Sequence, residues 1–416
     1  MIDINIIRNE SERVKKAIAN KKVNPELVDK FLEIDKKWRS LTSALDNLRA
    51  ERKLFKEGDK EKAKPVKKRI KDSEEEIGVL EKERDLLLEK FPNIPSDDAP
   101  VGVDDSENVV VREVGEKTKF DFVPKDYLSV AGGLINTDIA AKVAGSRFGY
   151  ILGDLAVMEF ALVKLAFDRL LPHGFVPVVP PVMIKPEILK GMGKAKFIAG
   201  DDAFYLPKDD LYMVGSSEHT IGPLNMDTVF EPGNLPARYL GFSTCFRREA
   251  GSYGKDTKGI LRVHQFDKVE MFSIALPEKS EEEHQFLLKQ AEGLVQDLGL
   301  HYRIVSICTG DMGFENYKQY DIETWMPGQN QYRETCSASN TTDYQARGLN
   351  IKYKTQKNGK PGGEYVHMLN CTAIPIGRML IAIIENYQNK EGNIMVPEAL
   401  REYVGKKEIK PNGKNI

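Results

Sequence analysis

Cys245-Phe246-Arg247-Arg248-Glu249, followed across a polar loop by Leu261-Arg262-Val263-His264-Gln265-Phe266, is the stretch on which the reading of this chain turns. The first block is strand-like and ends at Glu249. Ala250 to Gly259 is glycine-rich and carries Lys255 and Lys258, and a returning strand is expected from Ile260. An arginine at the end of a hairpin strand presents a planar fork that can grip a phosphate and a carboxylate together. On the returning strand, period-two alternation places Arg262, His264, Phe266 and Glu270 on one face. That face offers a cation, a flat aromatic shelf and an acid. A carboxylate buried there would need a partner, such as an ammonium or a hydroxyl, to offset its desolvation.

Further along stand Glu334-Thr335-Cys336-Ser337 and Gly377-Arg378, the latter opening the apolar run Met379-Leu380-Ile381-Ala382-Ile383-Ile384. A helix buried on nearly all sides is expected there, with Arg378 emerging at its N-terminus. Free N–H groups and the helix dipole favour anions at that end. The Gly-x-x-x-x-Gly-Lys-Ser/Thr loop and the Gly-x-Gly-x-x-Gly turn are both absent, so any nucleotide must be held by the arginines. His219 and His264 are the scattered candidates for a hydrolase, and neither accompanies a nucleophile elbow.

Working toward the N-terminus, Phe31, Ile34, Trp38, Leu41, Leu45, Leu48 and Phe55 follow a 3,4 alternation, with Arg52 at one seam position. Val66, Ile70, Ser73, Ile77, Leu80, Leu87 and Phe91 repeat it, with Arg84 in one slot. These are heptad seams. Gly58-Asp59 marks the turn between them, and Pro65 stands where a second helix can begin. The expectation is an antiparallel helical hairpin over about 28–91, roughly 45 Å long at 1.5 Å per residue. Its tip, residues 49–71, holds eleven Lys/Arg against four acids, so it is +7 and the remainder of a chain of net charge −2 is −9. Segregated cations of this kind suit a polyphosphate partner, and a long hairpin suits the shape of a structured RNA. Candidate contacts are Arg49, Arg52, Lys53, Lys56, Lys60, Lys64, Lys67, Lys68, Arg69 and Lys71, with Lys255 and Lys258 of the polar loop.

Pro92 to Pro100 has the composition of a linker, which divides the chain into 1–100 and 101–416. Beyond it, strands are expected near Val109 to Arg112, Gly174 to Pro181, Phe204, Tyr239 to Phe246, Gln265 to Ile274, Tyr302 to Cys308 and Ile351 to Thr355. Helices are expected at Leu152 to Leu171, Glu281 to Leu298 and Arg378 to Tyr387. Strands outside a regular β-α-β alternation indicate an α+β domain on an antiparallel sheet flanked by helices. Cys245, Cys308, Cys336 and Cys371 are scattered, which disfavours a disulfide framework and a structural zinc. The start, Met1-Ile2-Asp3-Ile4-Asn5, lacks a signal-peptide pattern, and the apolar run Ile151 to Leu171 is interrupted by charges, so a cytoplasmic protein outside the membrane is expected.

In this order the blocks resemble the motifs of a class II aminoacyl-tRNA synthetase, and most closely the seryl-tRNA synthetase family. Gly174 to Pro181 is similar to motif 1 at a dimer interface, Phe246 to Glu249 with Arg262 to Phe266 to motif 2, and Gly377-Arg378 to motif 3. Asp321-Ile322-Glu323-Thr324-Trp325-Met326-Pro327-Gly328, Ser337-Ala338-Ser339-Asn340 and Asp343 to Arg347 carry the likeness to the serine enzymes. The resemblance implies activation of L-serine with ATP and magnesium and transfer to tRNA(Ser), with tRNA(Sec) as a second candidate acceptor. It implies a homodimer whose arm serves the partner's site. Arg247, Arg262 and Arg378 would be catalytic. Arg248, Glu249, Val263, Phe266, Glu334, Thr335, Cys336 and Ser337 would join them around ATP. Ser216, Ser217, Glu218, Arg247, Glu270, Asn370 and Thr372 would hold serine, and Glu334 with Ser337 would hold magnesium. The family usually has Thr-x-Glu where Ser216-Ser217-Glu218 stands, and Asn-Gly-Ser/Thr where Asn370-Cys371-Thr372 stands. Pro375, before Gly377-Arg378, stiffens the approach to the arginine. The rival reading is a silent tRNA-binding paralog, which would have lost the arginines that this chain keeps.

Overall fold

The heptad runs become helices in the computed structural model, which describes residues 1–55, 59–250, 258–357 and 360–411. Two short helices, α1 (Ile4–Asn9) and α2 (Ser11–Asn20), precede two long ones, α3 (Glu26–Leu54) and α4 (Lys60–Leu88). Leu45 and Leu48 pack against Val66, Ile70 and Ile77, while Trp38 lies beside Arg84 and Arg49 beside Glu74, so α3 and α4 run antiparallel. Arg84 fills its seam slot by placing its guanidinium 4.2 Å from the Trp38 ring centroid, a cation–π contact where a leucine would otherwise sit. α4 starts at Lys60, ahead of Pro65 and not at it. The Asp59 carbonyl already accepts from Ala63 N–H, and Pro65 forfeits only the bond to the exposed Glu61 near the helix start. Gly58 lies outside the described residues.

The base of the arm is held by one buried acid. Asp35, fully buried on α3, accepts from Arg8 of α1 at 2.8 and 2.6 Å and from Arg39 at 3.0 Å. Burial opposes its ionisation, but the two guanidiniums outweigh that and hold its carboxyl below the usual range.

Met1–Ile94 forms one unit and Pro95–Ile416 the other. The second is built on eight strands: β1 (Val109–Val114), β2 (Phe175–Val178), β3 (Ala237–Phe246), β4 (Gln265–Ala275), β5 (Tyr302–Ser306), β6 (Lys318–Met326), β7 (Gln331–Asn340) and β8 (His367–Pro375). Their order is β1-β5-β6-β7-β8-β4-β3-β2, antiparallel throughout except for the parallel β2–β3 edge. Helices α5 (Gly153–Leu170), α6 (Ser280–Asp297) and α7 (Ile376–Asn386) supply the other half of the core. Val269 and Met271 point into that core with Leu162, Leu294 and Ile383, so the alternate residues of β4, Lys268 and Glu270, face the other way.

β6, β7 and β8 were not among the strands expected above. β7, Gln331-Tyr332-Arg333-Glu334-Thr335-Cys336-Ser337-Ala338-Ser339-Asn340, has no Val, Ile or Phe, so local β propensity is weak and its neighbours supply the ladder. No helix among the described residues is long and apolar enough to cross a membrane.

Candidate active site

β3 and β4 form the hairpin, with Phe246 opposite Gln265, and the ladder extends one step further as Arg247 N–H donates to the His264 carbonyl at 3.0 Å. Arg262 and His264, expected on the returning strand, lie in bends before it. The chain bends at 261, 262 and 264, and Ile260 and Val263, three apart, both pack into the main core. Arg262 is thereby turned to the Glu249 carboxylate at 2.7 Å. Glu249 adopts a left-handed backbone, φ 54°, which closes the end of β3 and costs a non-glycine residue on the order of 1 kcal/mol. His264 stays on the far side, its Nδ1 2.9 Å from the Arg247 carbonyl and its ring edge-on to Phe148 and Phe204.

Arg247 donates from Nε to the Gly215 carbonyl at 3.0 Å and holds its guanidinium 5.3 Å from the Phe266 ring centroid. Arg378, third residue of α7, donates to the Glu334 carbonyl at 3.0 Å and approaches its carboxylate at 3.2 Å. Desolvation opposes charge on Glu334, yet Arg378, Arg247 and Arg262 hold its carboxyl below the usual range. Arg248 turns away, donating to the Ala203 carbonyl at 3.3 Å with its guanidinium over Phe204.

A bulge decides the geometry on β7. Glu323 pairs with Glu334 and Ile322 with Cys336, which leaves Thr335 as the extra residue. Strict alternation would put Glu334 and Ser337, three apart, on opposite faces; the bulge lets both line the same cavity. Asp321, opposite Ser337 in the ladder, is buried, and burial together with the Glu334 charge pushes its carboxyl well above the usual range. No group of three or more His, Cys, Asp and Glu among the described residues forms a ready-made metal cluster.

At the other end of the cavity the groups are paired and dry. Glu270 is fully buried and accepts from Asn370 at 3.1 Å on Oε1, and from Thr372 at 3.1 Å and Lys268 at 2.6 Å on Oε2. Lys268 also donates to Ser216 Oγ at 2.8 Å. Glu218 pairs with Lys194 at 2.5 Å, and Lys194 reaches Glu315 as well. Desolvation disfavours ionised Glu218, but Lys194 and His219 prevail and hold its carboxyl well below the usual range. Burial pushes His219 down to about 4, so the ring is neutral, its Nδ1 accepting from Gly215 N–H at 3.3 Å.

One cavity of about 370 Å³ therefore collects Arg247, Glu249, Arg262, Val263, Phe266, Glu334, Thr335, Ser337 and Arg378 with Ser216, Glu218, Glu270, Asn370 and Thr372. Arg248, Cys336 and Ser217 are not in its lining. Cys336 and Cys371 are buried within adjacent strands, and Pro375, which precedes α7, lies on the cavity wall. Sequence reasoning missed Lys268, Lys194 and Glu315. Lys268 was legible, because it shares the parity of Phe266 and Glu270; Lys194 and Glu315 come from distant loops and carry no local signal.

In the arm, Arg49, Arg52, Lys53, Lys60, Lys64, Lys67, Lys68, Arg69 and Lys71 are all exposed, as is Lys258 of the second unit. Arg49 is partly committed to Glu74 at 2.9 Å. Lys56 and Lys255 lie outside the described residues.

A family model described as the tRNA synthetase class II core domain (G, H, P, S and T) matches residues 204–387, and one described as the seryl-tRNA synthetase N-terminal domain matches residues 1–58. The chain is 42% identical to the serine–tRNA ligase of Dictyoglomus turgidum, over 99% of this chain and 100% of that protein. It is also similar to the crystal structure of seryl-tRNA synthetase from Pyrococcus horikoshii complexed with ATP, with TM-score 0.93, 37% identity, and 99% and 100% of the two chains covered. The cytoplasmic enzyme of Naegleria fowleri in complex with AMP aligns with TM-score 0.90 at 34% identity, over 99% of each chain.

Proposed function

This chain belongs to the seryl-tRNA synthetase family, and from that premise we propose that its cavity activates L-serine with ATP to seryl-adenylate and passes the seryl group to the 3′-terminal adenosine of tRNA(Ser). The observation that carries the reading is the meeting, in one cavity of about 370 Å³, of three arginines with the buried, hydrogen-bonded acid Glu270 and with Glu218.

Phe266 supplies the shelf for adenine, and Arg247 bridges the α-phosphate and the serine carboxylate with its two parallel donors. Arg262 and Arg378 take the β- and γ-phosphates, releasing Glu249 and Glu334 as they do so. Glu218 receives the serine ammonium, and Glu270 accepts from the serine hydroxyl. Held this way, a serine carboxylate oxygen lies in line with the α-phosphorus. It bonds to phosphorus as the bond to pyrophosphate breaks, and the arginines neutralise the charge that develops. A 3′-ribose hydroxyl then attacks the seryl carbonyl and AMP leaves. Alanine leaves the buried acceptor of Glu270 unpaired, which is the kind of mismatch that gives strong discrimination.

Glu334 and Ser337 fit magnesium. They are hard oxygen donors brought to one face by the bulge, and the crowding of Asp321 by Glu334 is what a nearby cation would relieve. Magnesium bound there would supply charge neutralisation to the triphosphate.

The exposed cations of the arm tip suit the tRNA backbone. Val157, Phe160, Val176 and Val179, on α5 and at the β2 edge, are exposed apolar side chains that a second copy of the chain would cover, giving a homodimer. The test is amino-acid-dependent ATP–pyrophosphate exchange with magnesium across all twenty amino acids. Exchange with serine alone is expected. A folded protein that binds tRNA and exchanges with none would overturn the reading in favour of the silent paralog. Shortening residues 49–71 to a turn should leave exchange nearly intact while abolishing tRNA charging.

A further inference from the structure

We infer that Lys268 is the positioning residue that decides which oxygen of Glu270 meets the substrate, and hence that it sets the preference for an amino acid bearing a hydroxyl. This rests on the reading of the cavity as a serine-activating site.

An ionised carboxylate has about four acceptor positions, two on each oxygen. Among the described residues, Oε2 of Glu270 takes Lys268 at 2.6 Å and Thr372 at 3.1 Å, which fills it, while Oε1 takes only Asn370 at 3.1 Å. One acceptor position remains, on Oε1. Thr372 and Asn370 alone would not fix this arrangement, since a threonine hydroxyl rotates and can follow the carboxylate. A buried ammonium at 2.6 Å does fix it, because its charge ties the carboxylate to one orientation.

Lys268 is anchored independently of Glu270. It projects from β4 two residues before Glu270, is itself buried, and donates to Ser216 Oγ at 2.8 Å. Ser216 Oγ in turn receives the Glu218 N–H at 3.3 Å. One side chain therefore links the two acids that face the substrate, Glu270 directly and Glu218 through the Ser216 turn. The ammonium contributes, after Lys194 and His219, to keeping Glu218 ionised. Lys268 also neutralises Glu270, so the acid can accept from a neutral hydroxyl without attracting a second cation into the pocket. Removing it would free Oε2, let the carboxylate turn, and expose two acceptors with no preference for the hydroxyl's position.

The experiment uses full-length protein and pyrophosphate exchange, titrating serine, alanine and ATP separately for wild type, Lys268→Met, Lys268→Arg, Glu270→Gln and the charge-balanced double variant Lys268→Met/Glu270→Gln. Lys268→Met is expected to raise the serine KM by roughly 100-fold and to lower the serine-over-alanine ratio of kcat/KM at least tenfold, with the ATP KM within about threefold of wild type. Lys268→Arg, which retains the cation, should recover the serine KM to within about tenfold. Because Lys268→Met strands a buried carboxylate, the double variant, checked for folding by circular dichroism and ATP KM, is compared with Glu270→Gln: with the acid already gone, adding Lys268→Met should change the serine-over-alanine ratio by less than about threefold. A serine-over-alanine ratio that falls about tenfold further in the double variant than in Glu270→Gln would overturn the role of Lys268, as would serine and ATP KM rising together in Lys268→Met. Wild-type protein that exchanges with a different amino acid, or with none, would instead overturn the serine reading itself.

Discussion

At the arginine end of the cavity Arg262 and Arg378 are 33% and 27% exposed and Glu334 is 47% exposed, whereas at the acidic end Lys268 and Glu270 are 8% and 0% exposed. Both ends are made of ion pairs at similar distances, yet solvent makes them behave differently. A partly exposed guanidinium can trade a carboxylate for a phosphate more readily than a buried one, and water reaches Glu334 once Arg378 releases it. A buried pair cannot trade: whatever enters must supply matching donors, or a charge is left unpaired in a dry site. The arginine end is thus suited to a ligand that arrives, reacts and leaves as pyrophosphate. The acidic end is suited to telling one small amino acid from another.

The sharpest way to break this contrast is at the buried end. Glu270→Gln should lower kcat/KM for serine by roughly 10³-fold in pyrophosphate exchange while leaving the ATP KM nearly unchanged, because the amide faces Lys268 with a donor and strands it. An equal rise in both KM values would mean the two ends are not separable. Arg378→Ala should be milder, lowering kcat/KM for ATP by roughly 10²-fold with a small change in serine KM, since Arg247 and Arg262 remain. Salt should separate the ends without mutation. Raising ionic strength from about 0.05 to 0.5 M should increase the ATP KM several-fold and the serine KM by less than about twofold, because screening acts on the exposed cations and hardly reaches the buried pairs.

The smallest effect concerns a carboxyl pair behind the aromatic shelf. Glu159 on α5 shares a hydrogen bond with Asp267, the residue after Phe266, and burial pushes Glu159 up to about 8 from an unfolded value of 4.5. The folded protein prefers the protonated acid, so its contribution is fully present below about pH 4.5 and is lost as pH rises through about 8. Thermal unfolding followed from pH 5 to 8.5 should show Tm falling in wild type, with a shallower fall, by a few degrees, in Glu159→Gln. A parallel slope in the variant would remove the pair from the account.

Much of the helical part was legible because helix periodicity is local: Phe31 through Phe91 announce a hairpin, and Ile376–Asn386 is apolar on nearly all sides. The strands that carry the site were harder. β7 is largely polar and lacks Val, Ile and Phe, and β8 is interrupted by Asn370 and ends in Pro375, so neither stands out locally, and both are strands because the sheet on either side offers hydrogen-bond partners. Arg262 reads as strand because the hairpin pattern continues through it, but the backbone bends there before the ladder begins at Gln265.

By itself the sequence determined the helical arm and its basic tip, the arginine-bearing hairpin, and the three arginines with the acids Glu218, Glu249, Glu270 and Glu334 that line the cavity. These are matters of residue type and short-range spacing, which the chain carries wherever it goes. Only the tertiary structure decided which of those groups meet. The bulge at Thr335 brings Glu334 and Ser337 to one face, two loops deliver Lys194 and Glu315 to Glu218, and strand register sets Glu270 against Thr372 with Lys268 between Glu270 and Ser216. The physical reason is that a charge's worth depends on its neighbours and on whether water reaches it, and both are settled by contacts between residues far apart in the chain.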